Sequence, residues 1–142
     1  MNIIEVNEFK KEYFDAIQKF LGLLTSEPKS FTEANFKALL VSGSSHLFFL
    51  LDDNNIAGMA TVGIYKSPTG TKAWIEDVVM DEAYRGKGLG RMITQYAIDF
   101  AASQRADSLM LTSNPSRIAA NNLYRTIGFE QKETNVYCMK FG

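Results

Sequence analysis

Apolar residues recur at helical spacing at Phe9, Tyr13, Ile17, Phe20, Leu21 and Leu24. That period predicts an amphipathic helix, with one face toward a core. A short strand over Ile3 to Val6 precedes it, and Glu27-Pro28-Lys29 is the expected stop. Ser30 and Glu33 have capping-box spacing, and Phe36, Leu39 and Leu40 supply the apolar stripe of a second helix. Ser42-Gly43-Ser44-Ser45 reads as a loop.

The pattern then shortens. His46 to Leu51 is an apolar run of strand length, Asp52-Asp53-Asn54-Asn55 is a turn, and Ile56 to Tyr65 is its hairpin partner. Ile56, Ala60, Val62 and Ile64 share one parity. Ser67-Pro68-Thr69-Gly70 is a second turn, and Ala73 to Met80 returns as a strand. This middle stretch is an antiparallel meander.

Leu89, Met92, Ile93, Tyr96, Ala97, Phe100 and Ala101 restore the helical period. Leu109-Met110-Leu111 is a short strand. Ala119, Ala120, Leu123, Tyr124 and Ile127 mark a further helix, stopped by Gly128. Val136 to Phe141 is expected to close the chain as a strand. The predicted order is strand, two helices, three strands, helix, strand, helix, strand. The fold class is α+β, a mixed α/β layer with helices over a mostly antiparallel twisted sheet. No linker or repeat interrupts it, so residues 1–142 read as one domain.

Composition narrows the function. Hydrophobic residues are 46% and charged residues 22%, with a formal net charge of -1. So balanced a chain gives no general reason to bind nucleic acid or an acidic membrane. No stretch approaches the roughly 18 consecutive apolar residues of a membrane helix, and the N-terminus lacks a signal-peptide pattern. A cytoplasmic protein is expected. The single cysteine, Cys138, excludes an internal disulfide, and the single histidine, His46, argues against a histidine metal site or a Ser-His-Asp triad.

The chemistry is written in the run from Glu76 to Arg91. A strand enters the loop Arg85-Gly86-Lys87-Gly88-Leu89-Gly90, and the loop opens a helix. The first N–H groups of a helix are free and its dipole favours an anion there. Glycines let the backbone curl closely around a phosphate, and Arg85, Lys87 and Arg91 add positive charge. The loop reads as a pyrophosphate cradle, with a tight strand-to-helix connection as the alternative for its glycines. Gly86-x-Gly88-x-Gly90 lacks the Gly-x-Gly-x-x-Gly spacing of dinucleotide folds, and no Ser or Thr follows Gly86-Lys87 as a nucleoside-triphosphate loop requires.

What remains is Arg-x-x-Gly-x-Gly, carried by Arg85, Gly88 and Gly90. With the strand before it, this resembles the coenzyme A loop of the GNAT superfamily of N-acetyltransferases. A second segment, from Asn114 to Phe129, resembles that family's Asn-x-x-Ala-x-x-Leu-Tyr-x-x-x-Gly-Phe motif. Ala120, Leu123, Tyr124, Gly128 and Phe129 match it, and Arg117 stands at the first Asn position. The likeness covers the second half of the chain; the first half matches in element order.

The resemblance implies an enzyme that moves an acetyl group from acetyl-coenzyme A to an amine in a ternary complex, without a metal. It implies that the backbone of Val78, Val79 and Met80 receives the pantetheine arm as an added strand. The amides of Arg85, Gly86, Lys87, Gly88, Leu89, Gly90 and Arg91 would hold the pyrophosphate. A backbone N–H near Val79 would polarise the thioester carbonyl. Tyr124 would be the general acid, and Asn121, one turn earlier, a contact for the coenzyme arm. Glu76 and Asp77 are the candidates for the base. Strand alternation turns them to opposite faces, so at most one faces the acceptor.

The acceptor site is expected in Leu24 to Phe36 and Glu133 to Tyr137. Phe31, Phe36, Phe48, Phe49 and Trp74 are candidates for a pocket, although core packing suits most of them. A small-molecule amine, an amino sugar phosphate and a peptide amine all fit. The run Ile75 to Val79, followed by Tyr84-Arg85-Gly86, is similar to glucosamine-6-phosphate acetyltransferases. A catalytically silent acyl-coenzyme A sensor or partner-binding domain is the alternative from another class. The alternating apolar residues of the closing strand suit a homodimer edge.

Overall fold

The structure, a computed structural model, describes residues 1–28 and 30–142. They form two compact units, Met1–Leu111 and Thr112–Gly142. The first unit holds a five-stranded sheet in the order β1-β2-β3-β4-β5. The strands are β1 (Asn2–Glu5), β2 (Ser45–Asp52), β3 (Asn55–Ser67), β4 (Gly70–Met80) and β5 (Ser108–Met110). The first four pair antiparallel, and β5 joins β4 in parallel.

Helices α1 (Lys11–Leu24) and α2 (Glu33–Val41) cover one face. Ile17, Phe20 and Phe36 pack there on Leu47, Phe49, Met59 and Val79. Helix α3 (Leu89–Ser103) covers the other face, where Leu89 and Ile93 meet Leu50, Ala57 and Ala60. Phe36 and Phe49 are fully buried; truncating either to alanine costs about 3–5 kcal/mol by cavity formation.

Three details depart from the sequence pattern. The capping box of α2 is Thr32 with Asn35, two residues after the expected Ser30 and Glu33. The Thr32 Oγ1 accepts the Asn35 N–H at 3.1 Å, and the Asn35 Oδ1 accepts the Thr32 N–H at 3.0 Å. Asparagine takes the part usually played by Glu or Gln because its carbonyl oxygen offers the same acceptor on a shorter arm. Second, the β2–β3 register shifts by one residue, with Leu50 opposite Gly58 and Leu51 opposite Ile56. Ile56 thereby joins the α1/α2 cluster while Ala60 faces α3, and their common parity does not give them a common face. Third, of the stop expected at Glu27-Pro28-Lys29, Lys29 lies outside the described residues; α1 ends before it, at Leu24.

The second unit contains α4 (Ile118–Ile127), closed by Gly128 at φ 127°. The strand expected over Val136 to Phe141 does not form. A strand exists only where a neighbour takes its N–H and C=O groups, and among the described residues no such partner meets this segment. Its alternating residues stand exposed instead, Tyr137 at 88% and Phe141 at 85%. The strand edge expected for a homodimer is therefore not formed within this chain.

Candidate active site

The site begins with a bulge in β4. Thr61 pairs with Glu76 and Met59 with Val79, so Ala60 alone opposes Asp77 and Val78. Asp77 absorbs the extra residue at φ 53°, in the left-handed region. Asp is among the few residues that tolerate it. The bulge breaks the alternation between Glu76 and Val79, whose partners Thr61 and Met59 are two residues apart on β3, and it leaves the Asp77 charge near Glu76. Glu76 and Asp77 both lie at the surface, yet partial burial raises the Glu76 carboxyl above its usual range and the Asp77 charge raises it further. Burial alone raises Asp77. Neither carboxylate makes an ion pair or hydrogen bond among the described residues.

Beyond the bulge, β4 has an open edge. β5 pairs only with Lys72, Ala73 and Trp74. In the first unit no strand covers the outer backbone of Val78, Val79 and Met80. Gly58 lets the strand lie this close to β3. A Cβ on Gly58 would stand 2.6 Å from the Met80 side chain and 2.8 Å from the Val79 carbonyl oxygen.

The strand runs directly into the glycine loop. Gly86 and Gly88 take φ values of 76° and 75°, and Gly88 is the N-cap of α3. A Cβ at either glycine would meet nothing within 4 Å, so the hollow above the loop is open. Met92 is the first α3 residue whose N–H reaches back, to the Gly88 carbonyl at 3.3 Å. Among the described residues no acceptor meets the N–H groups of Gly86 to Arg91. The four ion pairs among those residues leave Arg85, Lys87 and Arg91 uncommitted. Free amides and a helix dipole therefore meet at the start of α3, with Arg85, Lys87 and Arg91 on the same stretch of chain, an arrangement that suits a pyrophosphate.

The loop is anchored from both flanks. Asp81 accepts the Ala83 N–H at 3.0 Å and pairs with Lys19 of α1. The Lys19 bond and that N–H hold the Asp81 carboxyl below its usual value. Leu89, buried in the α3 cluster, pins the loop's far end.

An open cleft of about 420 Å³ lies beside Glu76 on the sheet. Trp74 and Glu76, two residues apart, share the α1/α2 face of β4. The helices bury Met59 and Val79 but leave this end uncovered. Gly63, opposite Trp74, is the floor, and Ser44, Ser45 and Tyr65 complete the wall. Of the aromatic candidates, Phe36, Phe48 and Phe49 are fully buried and Phe31 packs against the α1/α2 cluster. Trp74 is the one that lines the cleft. Ser44, Ser45, Gly63 and Tyr65 were not singled out in the sequence, because the loop and strands bring them together only through pairing.

In the second unit, Tyr124 lies on α4 with its ring 6.0 Å from that of Phe129. Asn121 donates through its side-chain nitrogen to the Asn114 carbonyl at 2.9 Å and the Arg117 carbonyl at 2.8 Å. It ties the turn before α4 and keeps its oxygen for any further partner. No group of three or more His, Cys, Asp or Glu residues is arranged for a metal among the described residues. No helix there is long and apolar enough to cross a membrane.

Residues 8–129 match the family described as Acetyltransferase (GNAT) family. The chain is 27% identical over 137 residues to glucosamine 6-phosphate N-acetyltransferase 1 of Oryza sativa subsp. japonica, covering 88% of this chain and 81% of that protein. It is 35% identical over 77 residues to streptothricin acetyltransferase of Streptomyces lavendulae, covering 54% of this chain and 40% of that protein. Among solved structures, an aminoglycoside acetyltransferase from an uncultured soil metagenomic sample, in complex with sisomicin, superposes with a TM-score of 0.81. It is 18% identical over 98% of this chain and 96% of that one.

Proposed function

This chain belongs to the GNAT acetyltransferase family, enzymes that draw an acetyl group from acetyl-coenzyme A, and we propose that it delivers that group to a primary amine by direct attack. The acceptor is a small molecule or a peptide amine, and residues 1–142 act as one N-acetyltransferase domain. One observation carries the reading: the open β4 edge leads straight into a hollow of free amides at the start of α3.

The residues present fit coenzyme A. Backbone groups of Val78, Val79 and Met80 hold the pantetheine arm as a further strand. The amides of Gly86 to Arg91, with Arg85, Lys87 and Arg91, hold the pyrophosphate. Bound acetyl-coenzyme A supplies an activated acyl carbon. A backbone N–H of the Val78–Met80 stretch stabilises the oxyanion that develops on attack.

The acceptor arrives as an ammonium ion. Freeing its lone pair at neutral pH costs about 4–5 kcal/mol for an alkyl amine of pKa near 10.4. Glu76 takes that proton, directly or through one water, with Asp77 as the second candidate. A carboxylate raised by burial is a stronger base than one in water, which suits this role. The Tyr124 hydroxyl gives a proton to the departing thiolate; this role rests on the motif from Ala120 to Phe129.

The test measures thermal stability and thiol release on adding acetyl-coenzyme A, with and without a panel of amines. A ligand bound only by the folded state adds about 2.7 kcal/mol at a hundredfold excess over Kd. The expected result is a clear rise in Tm, lost in Gly88→Trp, and thiol release that requires an amine. A rise in Tm with no turnover on any amine would favour a silent acyl-coenzyme A sensor. No rise at all would overturn the reading.

A further inference from the structure

We propose that the cleft at Trp74 and Glu76 binds the acceptor as an unphosphorylated, cationic amine carried on a ring, with the ring laid against Trp74 and the ammonium on Glu76. This rests on the acetyltransferase reading above and names the substrate class of that same site.

The cleft has one charge. Glu76 is the sole ionised residue in its lining, and no cation among the described residues pairs with it. A carboxylate without a partner beside a hollow of about 420 Å³ is a counter-ion awaiting an ammonium. The rest of the wall is Trp74, Tyr65 and Ile64 with two serine hydroxyls, Ser44 and Ser45. Indole and phenol rings offer a flat apolar face and attract cations over it. The serines suit hydroxyls or a second neutral polar group.

The floor leaves room for a ring. Gly63 lies directly across from Trp74, and a Cβ there would meet nothing within 4 Å. A larger residue would fill the space in which a ring would lie on the indole. The volume falls within the range of single small-ligand sites.

A phosphate has no place in this wall. Phosphate recognition needs a guanidinium, an ammonium or a helix N-terminus. The lining provides none, and the Glu76 charge would repel the anion. Lys72 pairs with Tyr65 on the same face of the sheet and stands at the rim, outside the lining, so a phosphate would reach a cation only by leaving the cleft. The cleft thus selects against amino sugar phosphates by unpaired like charge, a discrimination built from repulsion as much as attraction.

Trp74 is the only tryptophan of the chain, so its fluorescence reports the cleft directly, without acetyl-coenzyme A or turnover. The intact protein is titrated with glucosamine, glucosamine 6-phosphate and 2-phenylethylamine. The expected result is a saturable change with glucosamine and 2-phenylethylamine, and at least about tenfold weaker binding of glucosamine 6-phosphate, equivalent to about 1.4 kcal/mol. Gly63→Leu should keep its fold and its acetyl-coenzyme A thermal shift while losing the amine response. Glu76→Gln should weaken both amines and narrow the gap to the phosphorylated one. Equal or tighter binding of glucosamine 6-phosphate would overturn the proposal. So would amine-dependent thiol release with no change at Trp74 for any amine, which would place the acceptor elsewhere and leave the acetyltransferase reading standing. Failure of that reading shows separately, as no thermal shift with acetyl-coenzyme A.

Discussion

The Tyr84 hydroxyl donates a hydrogen bond to the Asp52 carboxylate at 2.8 Å, which ties the approach to the glycine loop to the β2–β3 turn. That bond, with burial, raises the Tyr84 hydroxyl above its usual range, so it stays a donor throughout the working pH. Tyr84→Phe keeps the ring under Lys87, whose Nζ lies 5.4 Å from its centroid, and removes only the tether. The expected outcome is about a two- to fivefold rise in the Kd for acetyl-coenzyme A, by loss of one hydrogen bond's worth of ordering. Calorimetric titration of the wild type and the variant checks it.

Gly58→Ala tests the β4 edge. The added methyl would meet the Val79 carbonyl at 2.8 Å, and backbone cannot swing aside as the Met80 side chain can. The strand must move, at a cost of about 1–3 kcal/mol. Urea denaturation should show that loss. Acetyl-coenzyme A binding should weaken as well, because Val79 and Met80 form the proposed pantetheine edge.

Thr32→Ala and Ser30→Ala separate the two possible caps of α2. Thr32→Ala removes an observed reciprocal cap and should cost about 1 kcal/mol. Ser30→Ala should change stability little, since Ser30 makes no capping bond to α2. Equal losses in paired thermal melts would contradict this assignment.

The carboxylates at the bulge give a pH prediction. Both Glu76 and Asp77 are raised in the folded protein, from ordinary values of 4.5 and 3.8. The folded state therefore holds protons that the unfolded chain has released. Stability from these groups is full below the ordinary values and falls as pH rises through the raised ones. At neutral pH, Glu76→Gln with Asp77→Asn should raise Tm by a small amount, since solvent screens both exposed carboxylates, and the gap should close on acidification below about pH 4. The same direction should appear in catalysis: the acid limb of kcat/KM should lie above the ordinary carboxylate range and vanish in the variant that removes the base.

The glycine loop was legible because its chemistry is local. Gly86 and Gly88 were needed for left-handed backbone, and a strand followed by such a loop and an apolar helical period leaves few other geometries. The helices and the meander followed from period alone. The cap of α2 was misplaced by two residues, because Ser30-x-x-Glu33 and Thr32-x-x-Asn35 both satisfy the spacing and only the chain's path chooses between them.

The sequence by itself determined the element types as far as α4, the glycine loop that opens α3 and the candidates Glu76, Asp77 and Tyr124, since each depends on residues adjacent in the chain. Tertiary structure decided what depends on pairing. Whether Ile56 and Ala60 share a face, and whether Glu76 and Val79 do, turned on two register shifts that no periodicity announces. Whether Val136 to Phe141 is a strand turned on a neighbour to take its hydrogen bonds, and no alternation of side chains can supply one. The proposed acceptor cleft is the fullest case. Ser45, Gly63 and Trp74 come from three strands, and only the sheet's register lays a glycine opposite the one tryptophan, beside a carboxylate that has no partner among the described residues.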